Sequence, residues 1–93
     1  MRKIEENMRH AVQHQRNWRQ ANTSVSYNDS TQESTVYLHG HVIATYWHKS
    51  GELDVNKPVL ARWPTPTTKS RLRALGADVY TKNYVTFLNG EPV

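Results

Sequence analysis

Five histidines are the residues of this chain whose type and spacing could bind a metal ion or transfer protons. His10 and His14 are one helical turn apart, and His39 and His41 flank a glycine. A zinc enzyme of the His-Glu-x-x-His type needs a glutamate directly after the first histidine, and Ala11 occupies that position here. The sequence contains no cysteine, so disulfides and thiolate metal sites are excluded. We therefore predict no metal site and no cofactor.

Residues for covalent or acid–base catalysis also lack a recognisable arrangement. Ser70 lies outside the Gly-x-Ser-x-Gly turn that exposes a hydrolase nucleophile. The aspartates are scattered along the chain, so no pair of catalytic carboxylates is predicted. None of the four glycines belongs to a glycine-rich loop that could hold a phosphate group. We therefore predict no catalytic residues and a protein that is not an enzyme.

A cluster of basic residues with tyrosines close by in sequence indicates a binding function. Lys69 and Arg73 are one turn apart on a predicted helix, and Arg71 lies at the margin of the same face. Cationic side chains contact phosphates, and exposed aromatic rings stack on unpaired bases. With 12 basic and 8 acidic side chains, the net charge of +4 favours a polyanionic partner. The alternative interpretation is an ordinary solvated helix face. The predicted nucleic-acid-binding residues are Arg62, Lys69, Arg71, Arg73, Lys82 and Tyr84.

The helix that carries these cations has both ends specified by the sequence. Thr65 or Thr67 can cap its first turn, and Pro66 suits the first helical position because no N–H partner is needed there. Gly76 can adopt the left-handed conformation that ends a helix. Helical spacing then predicts an apolar face consisting of Thr68, Leu72 and Leu75.

The remaining elements are predicted from hydrophobic periodicity. An apolar stripe predicts an amphipathic N-terminal helix over residues 1–20, and His39-Gly40-His41 predicts the tight turn of a hairpin. The order of elements predicts one α+β domain over 1–93: an N-terminal helix, then a sheet plus helix over 21–93. Within this domain we expect an antiparallel β-meander, a short second helix and a C-terminal strand or hairpin. The predicted strands cover 23–27, 35–38, 42–47, 52–55 and 79–88, with 58–61 as a weaker candidate.

The predicted hairpin has apolar groups on both of its faces, which indicates self-association. Strict alternation places Val36, Leu38, Ile43 and Trp47 on one face. The other face then carries Tyr37, His39, Val42, Ala44 and Tyr46. Because a monomer of this size rarely leaves such a patch uncovered, we predict a homodimer.

Two segments of the chain resemble a family of small tailed-bacteriophage proteins. Residues 38–44 match its Leu-x-Gly-x-x-Ile-Ala hairpin, and residues 63–75 match its Trp-x-Thr-x-Thr-Thr-Lys-Ser-Arg-Leu-x-Ala-Leu segment. The similarity covers most of the chain after Asn22, although Arg73 stands where the family often has a neutral polar residue. The family is functionally uncharacterised. The resemblance therefore implies a phage origin and action inside a bacterial cell, and it supplies no catalytic residues.

Two functions are compatible with these observations. The first is a small non-enzymatic phage accessory protein that binds nucleic acid or a nucleoprotein through the basic helix face. The alternative is a phage-encoded inhibitor of a host protein, such as a defence or transcription factor. No apolar run approaches the ~20 residues of a membrane span, and the charged start of the chain differs from a secretory signal. We therefore expect a cytoplasmic location in the host cell and no membrane partner.

Overall fold

The chain forms a meander of five antiparallel strands, three helices and a separate three-stranded sheet in the computed structural model, which describes residues 2–93. This confirms the predicted α+β class and order of elements. The helices are α1 (Lys3–Gln13), α2 (Lys57–Arg62) and α3 (Pro66–Ala74). The meander consists of β1 (Trp18–Gln20), β2 (Thr23–Asn28), β3 (Glu33–Leu38), β4 (His41–Trp47) and β5 (Glu52–Val55). The small sheet consists of β6 (Val79–Lys82), β7 (Val85–Leu88) and β8 (Glu91–Pro92).

One face of the meander and the helices share a single hydrophobic core. Met8 from α1, Leu60 from α2 and Leu72 from α3 are almost completely buried. They meet inward-facing side chains of the sheet such as Val36 and Ile43. All three helices are therefore held on the sheet by at least one large apolar side chain.

The N-terminal helix is shorter than the predicted range of 1–20, which is wrong in its second half. The helix ends at Gln13, and Gln15 adopts a positive φ of 56° that reverses the chain. Trp18 then pairs with Val25 in the sheet instead of continuing the helical stripe. The side-chain oxygen of Asn17 accepts a hydrogen bond from the Tyr27 amide at 2.8 Å, which fixes this return. Pairing with β2 thus overrides the helical pattern.

Residues 58–61, predicted as a weak strand, are helical and form the centre of α2. The side chain of Asn56 caps this helix by accepting a hydrogen bond from the Val59 amide. Pro58 lies in the first turn, where its missing N–H costs no hydrogen bond. Leu60 is 1% exposed, so burial of one apolar side chain stabilises this short helix.

A β-bulge in the β3–β4 hairpin corrects the predicted faces. The register shifts by one residue, so that Ile43 has no direct partner in β3. Beyond the bulge, Ala44 is buried, Tyr46 packs against the core, and Trp47 is 39% exposed on the outer face. The prediction for Ala44, Tyr46 and Trp47 is therefore wrong, because one extra residue exchanges the two faces of a strand.

This exchange also changes the basis of the predicted homodimer. Tyr46 leaves the proposed patch for the core, whereas Tyr37 and Val42 stay on the outer face and are half-buried. Self-association stays a prediction, which light scattering at micromolar concentration tests. A mass that remains at 10.8 kDa would contradict it.

Candidate nucleic-acid interface

α3 is the helix on which the predicted binding residues concentrate, and its ends confirm the sequence prediction. The hydroxyl of Thr65 accepts a hydrogen bond from the Thr68 amide at 3.1 Å, and Pro66 follows as the first helical residue. Gly76 adopts a φ of 104° just after the helix, a conformation that side-chain-bearing residues rarely adopt. The inner face is anchored by Thr68 and Leu72, which are 3% and 0% exposed.

Arg71 points into the protein and is not available to a partner. Its side chain is buried, and its Nη1 atom donates to Glu5 Oε2 at 2.8 Å. Its Nε atom donates to the hydroxyl of Thr23 at 3.1 Å. The prediction that Arg71 binds nucleic acid is therefore wrong. We call Glu5, Thr23, Ser70 and Arg71 the buried junction, since they join α1, β2 and α3.

Glu5 is the counter-charge of this junction. Its Oε2 atom also accepts a hydrogen bond from the Ser70 hydroxyl at 2.6 Å. Burial by itself raises the pKa of Glu5, but hydrogen bonds from Ser70 and Arg71 and the charge of Arg71 favour the carboxylate more strongly. The pKa of Glu5 is consequently lowered, so its carboxyl group is ionised at neutral pH.

Lys69 and Arg73 lie on the opposite side of α3, along strand β6. Lys69 Nζ donates to the hydroxyl of Thr81, and Arg73 Nη1 donates to the backbone oxygen of Val79 at 3.1 Å. Arg73 is exposed and Lys69 is half-buried. Both cations are thus positioned by the edge of the small sheet, where they remain accessible to solvent.

The outer face of the small sheet carries aromatic rings, whereas Thr81, the partner of Lys69, lies on the other face of β6. Tyr80 pairs with Phe87, and their rings stack at 5.2 Å between centroids with an interplanar angle of 4°. Lys82 lies further along the same face, opposite Val85. Tyr84, at the turn between the strands, is fully exposed. We call these residues, together with the two cations that reach the edge of β6 from α3, the basic–aromatic surface: Lys69, Arg73, Tyr80, Lys82, Tyr84 and Phe87.

Phe87 is absent from the predicted site, although a signal for it exists in the sequence. Tyr80 and Lys82 alternate on β6, as Val85 and Phe87 do on β7, which places each pair on one face of its strand. The pairing between the strands depends on the turn, where Asn83 and Tyr84 both have positive φ. Such a turn is hard to predict because a positive φ is unusual for tyrosine.

Arg62, another predicted binding residue, belongs to a different part of the surface. It ends α2, and its guanidinium lies 5.6 Å from the ring centroid of Trp63. Trp63 is 43% exposed and stacks with His41 at 5.7 Å between ring centroids. The structure therefore divides the predicted cations into a group along β6, a separate Arg62 and a buried Arg71.

The histidines are spread over several parts of the described chain. His48 Nε2 and the hydroxyl of Ser34 are 2.7 Å apart, but Ser34 is completely buried and closed to a substrate. His10 and His14 stack with 4.1 Å between ring centroids. Within residues 2–93, no three histidine, aspartate or glutamate side chains are grouped as metal ligands would be.

Comparisons with known proteins identify one family. A family model described as "Kyanoviridae Gp96 protein" matches residues 1–93. No curated protein and no solved structure matches the chain. None of the helices within residues 2–93 has both the length and the apolar character that crossing a membrane requires.

Proposed function

Since the chain belongs to the Kyanoviridae Gp96 protein family and is therefore a phage protein, we propose that it is a non-enzymatic accessory protein that binds single-stranded nucleic acid. The contact residues are those of the basic–aromatic surface. Lys69, Arg73 and Lys82 contact phosphates, and the rings of Tyr80, Tyr84 and Phe87 stack on bases.

The observation that carries this proposal is the stacked pair of Tyr80 and Phe87 on the outer face of the small sheet, where Tyr80 is exposed and Phe87 is half-buried. Aromatic side chains stabilise small domains mainly by being buried, yet Tyr80 is 37% exposed and Tyr84 is fully exposed. Flat exposed rings offer every base a stacking partner, whatever its sequence. Their position on a short, open face favours an unpaired strand over a duplex, whose bases are already stacked.

The charges around these rings support the same interpretation. Lys69 and Arg73 are held along β6 by their hydrogen bonds, so little side-chain freedom is lost when a phosphate binds. Two acids belong to the same part of the chain: Asp78 precedes β6, and Glu91 lies in β8. Because the surface has only three cations, and two acids belong to the same part of the chain, we propose modest affinity that is strongly reduced by salt.

Fluorescence anisotropy with labelled oligonucleotides tests the proposal. We expect binding to single-stranded DNA and RNA at low salt, weaker binding to duplexes of the same length, and a steep loss as salt rises. Tyr84→Ala should weaken binding by about 1–3 kcal/mol, the usual contribution of one stacked base. Lys82→Gln should reduce the slope of log K against log salt by roughly 0.7.

Lys57→Gln is the matched control, because Lys57 is an exposed cation at the start of α2. It should change binding less than Lys82→Gln does. Equal effects of the two substitutions would show that only net charge matters and would refute the proposed surface. No detectable binding at low salt would remove the function altogether.

The outer face of the meander favours a second candidate, a phage-encoded inhibitor that binds a host protein. The helices pack on one face of this sheet, and Tyr37, Val42 and Trp47 lie on the other. Capture from bacterial lysate, with and without nuclease, separates the two functions. A protein partner that survives nuclease and is lost in Trp47→Glu favours the inhibitor, whereas partners lost on nuclease treatment favour nucleic-acid binding.

A further inference from the structure

A cavity of about 400 Å³ lies between the β3–β4 hairpin, α2 and the start of α3. Its walls are mainly apolar, with Leu38, Ile43 and Val59 on the inside and the indole of Trp63 on one side. This volume is within the range of sites that hold small organic ligands, which are typically apolar with a few polar groups. The cavity is thus large enough for a planar ring.

Polar groups at this cavity are available to a ligand. The side chains of His39 and Thr67 both line it, and neither makes a hydrogen bond to any part of residues 2–93. The hydroxyls of Thr65 and Thr68, in contrast, are bonded to each other at 2.9 Å. The described residues that line the cavity include no acid, so a ligand with an anionic group meets no repulsion from the walls.

Trp63 gives this cavity an aromatic wall with positive charge beside it. Its ring stacks with the imidazole of His41 and lies 5.6 Å from the guanidinium of Arg62. A base that enters the cavity would contact the indole, and the phosphate, which is joined to the base through the ribose, would remain outside, near Arg62. This combination of stacking surface, hydrogen-bonding groups and external cation matches a nucleotide better than an aliphatic ligand.

We propose that this cavity binds one unpaired base of a nucleic-acid strand, with the adjoining phosphate on Arg62. The inference rests on the proposed function, which it extends from the basic–aromatic surface to a second contact. Thr67 at the cavity and Arg73 on that surface belong to the same helix and are six residues apart. They are therefore separated by about 9 Å along the helix axis and about 120° around it, a path that a strand of a few nucleotides can follow.

Nuclear magnetic resonance with the four nucleoside 5′-monophosphates tests the cavity by itself. The chain has three tryptophans, and Trp63→Phe assigns the indole N–H signal of Trp63. We expect that signal to shift on titration, whereas the signals of Trp18 and Trp47 should not. N-acetyl-tryptophan amide is the competing probe. If it shifts the Trp63 signal as strongly as the nucleotides do, the occupant is a protein side chain and the proposal is overturned.

Two substitutions fill the cavity from different walls. Val59→Phe acts from α2 and Thr67→Phe acts from α3, and the titration of the unaltered protein tests the cavity independently of both. Circular dichroism checks folding. We expect each to weaken mononucleotide binding roughly tenfold, because each excludes one stacked ring. Ser26→Phe, at an exposed position of β2, is the control and should have no such effect. Unchanged affinity in both folded cavity variants would overturn the proposal.

Oligonucleotide binding separates failure of this inference from failure of the proposed function. If oligonucleotides bind and depend on Tyr84, but no mononucleotide shifts the Trp63 signal, the cavity inference is wrong and the function stands. If the mononucleotides bind but no oligonucleotide does, both proposals fail, because the cavity would then serve a free nucleotide. If the affinity for oligonucleotides is lower in the Val59→Phe variant and also in the Tyr84→Ala variant, both the cavity and the basic–aromatic surface contact the strand.

Discussion

The two sides of α3 use the same chemical group for opposite purposes. Arg71 is 4% exposed and donates to Glu5 and Thr23 in the buried junction. Arg73, two positions later, is exposed and donates only to a backbone oxygen of β6 among the described residues. Two residues correspond to about 200° of rotation around a helix, so these arginines point in nearly opposite directions. A basic segment on a helix therefore cannot be assigned to binding from its charge alone.

The segment that resembles the phage family, residues 63–75, likewise contributes residues to both the inner and the outer side of α3. Thr65 caps α3, and Ser70, Arg71 and Leu72 attach its inner side to the rest of the protein. Lys69 and Arg73 belong to the basic–aromatic surface, and Trp63 and Thr67 line the cavity. The motif thus supplies both the inner contacts that hold the fold and the outer residues that can bind a partner. The following substitutions test that division.

Removing the buried arginine should have the largest effect on stability. Arg71→Met leaves the carboxylate of Glu5 buried without a counter-charge, so we expect a loss of about 3–5 kcal/mol in the free energy of unfolding. Arg73→Gln, the matched control, removes one charge from the exposed side and should cost less than about 1.5 kcal/mol. Urea unfolding of both variants measures the difference.

A double variant sharpens this result. Adding Glu5→Leu to Arg71→Met removes the unpaired charge and should recover part of the lost stability, because an apolar pair avoids the desolvation cost. Equal losses for Arg71→Met and Arg73→Gln would show that the two sides of α3 do not differ as proposed.

Lowering the pH should have a smaller effect through the same junction. Because the pKa of Glu5 is lowered in the folded protein, its contribution to stability is present above the unfolded-state value of about 4.3. That contribution is lost as the pH falls through the lower folded-state pKa, where the carboxylate takes up a proton. Urea unfolding between neutral and acidic pH measures the loss.

Glu5→Gln provides the comparison for this pH series. The variant should be less stable at neutral pH, but its stability should decrease less steeply in the acidic range because the titrating group is gone. Parallel curves for the two proteins would assign the acid sensitivity to other carboxyl groups and would contradict the role of the junction.

The smallest effect is expected at the start of α3. Thr65→Ala removes the cap that accepts from the Thr68 amide and should cost about 1 kcal/mol. Thr67→Ala is the control in the same turn, since the Thr67 hydroxyl makes no hydrogen bond within residues 2–93. Thermal unfolding compares the two. If Thr67→Ala costs as much as Thr65→Ala, the capping assignment is wrong.

Much of the fold follows from local features of the sequence. The glycine at position 40 predicted the β3–β4 turn, where it has a positive φ, and the alternation over 23–27 predicted β2. The cap and the glycine that bound α3 were equally informative. The weaker predictions concern α1 after Gln13 and α2. After Gln13, pairing with β2 made the chain a strand instead of a helix. In α2, burial of Leu60 favoured a helix over the predicted strand.

The candidate site could be predicted only in part. Lys69, Arg73, Lys82 and Tyr84 were identified because charge and aromatic character are visible in the sequence, and their role in binding stays a prediction. Phe87 was missed because its position depends on the pairing of β6 with β7. Arg62 was grouped with residues from which the structure separates it, since it lies against Trp63 instead of β6.

The sequence by itself determined the class of fold, the ends of α3, the main hairpin and the net charge of +4. These features depend on interactions within one or two turns of a helix or across one tight turn. Only the tertiary structure decided which cations remain free, which face of β4 is buried and where the cavity beside Trp63 forms. Arg71 is buried because it meets Glu5, 66 positions away in the chain, and an ion pair over that separation exists only after the helices have packed.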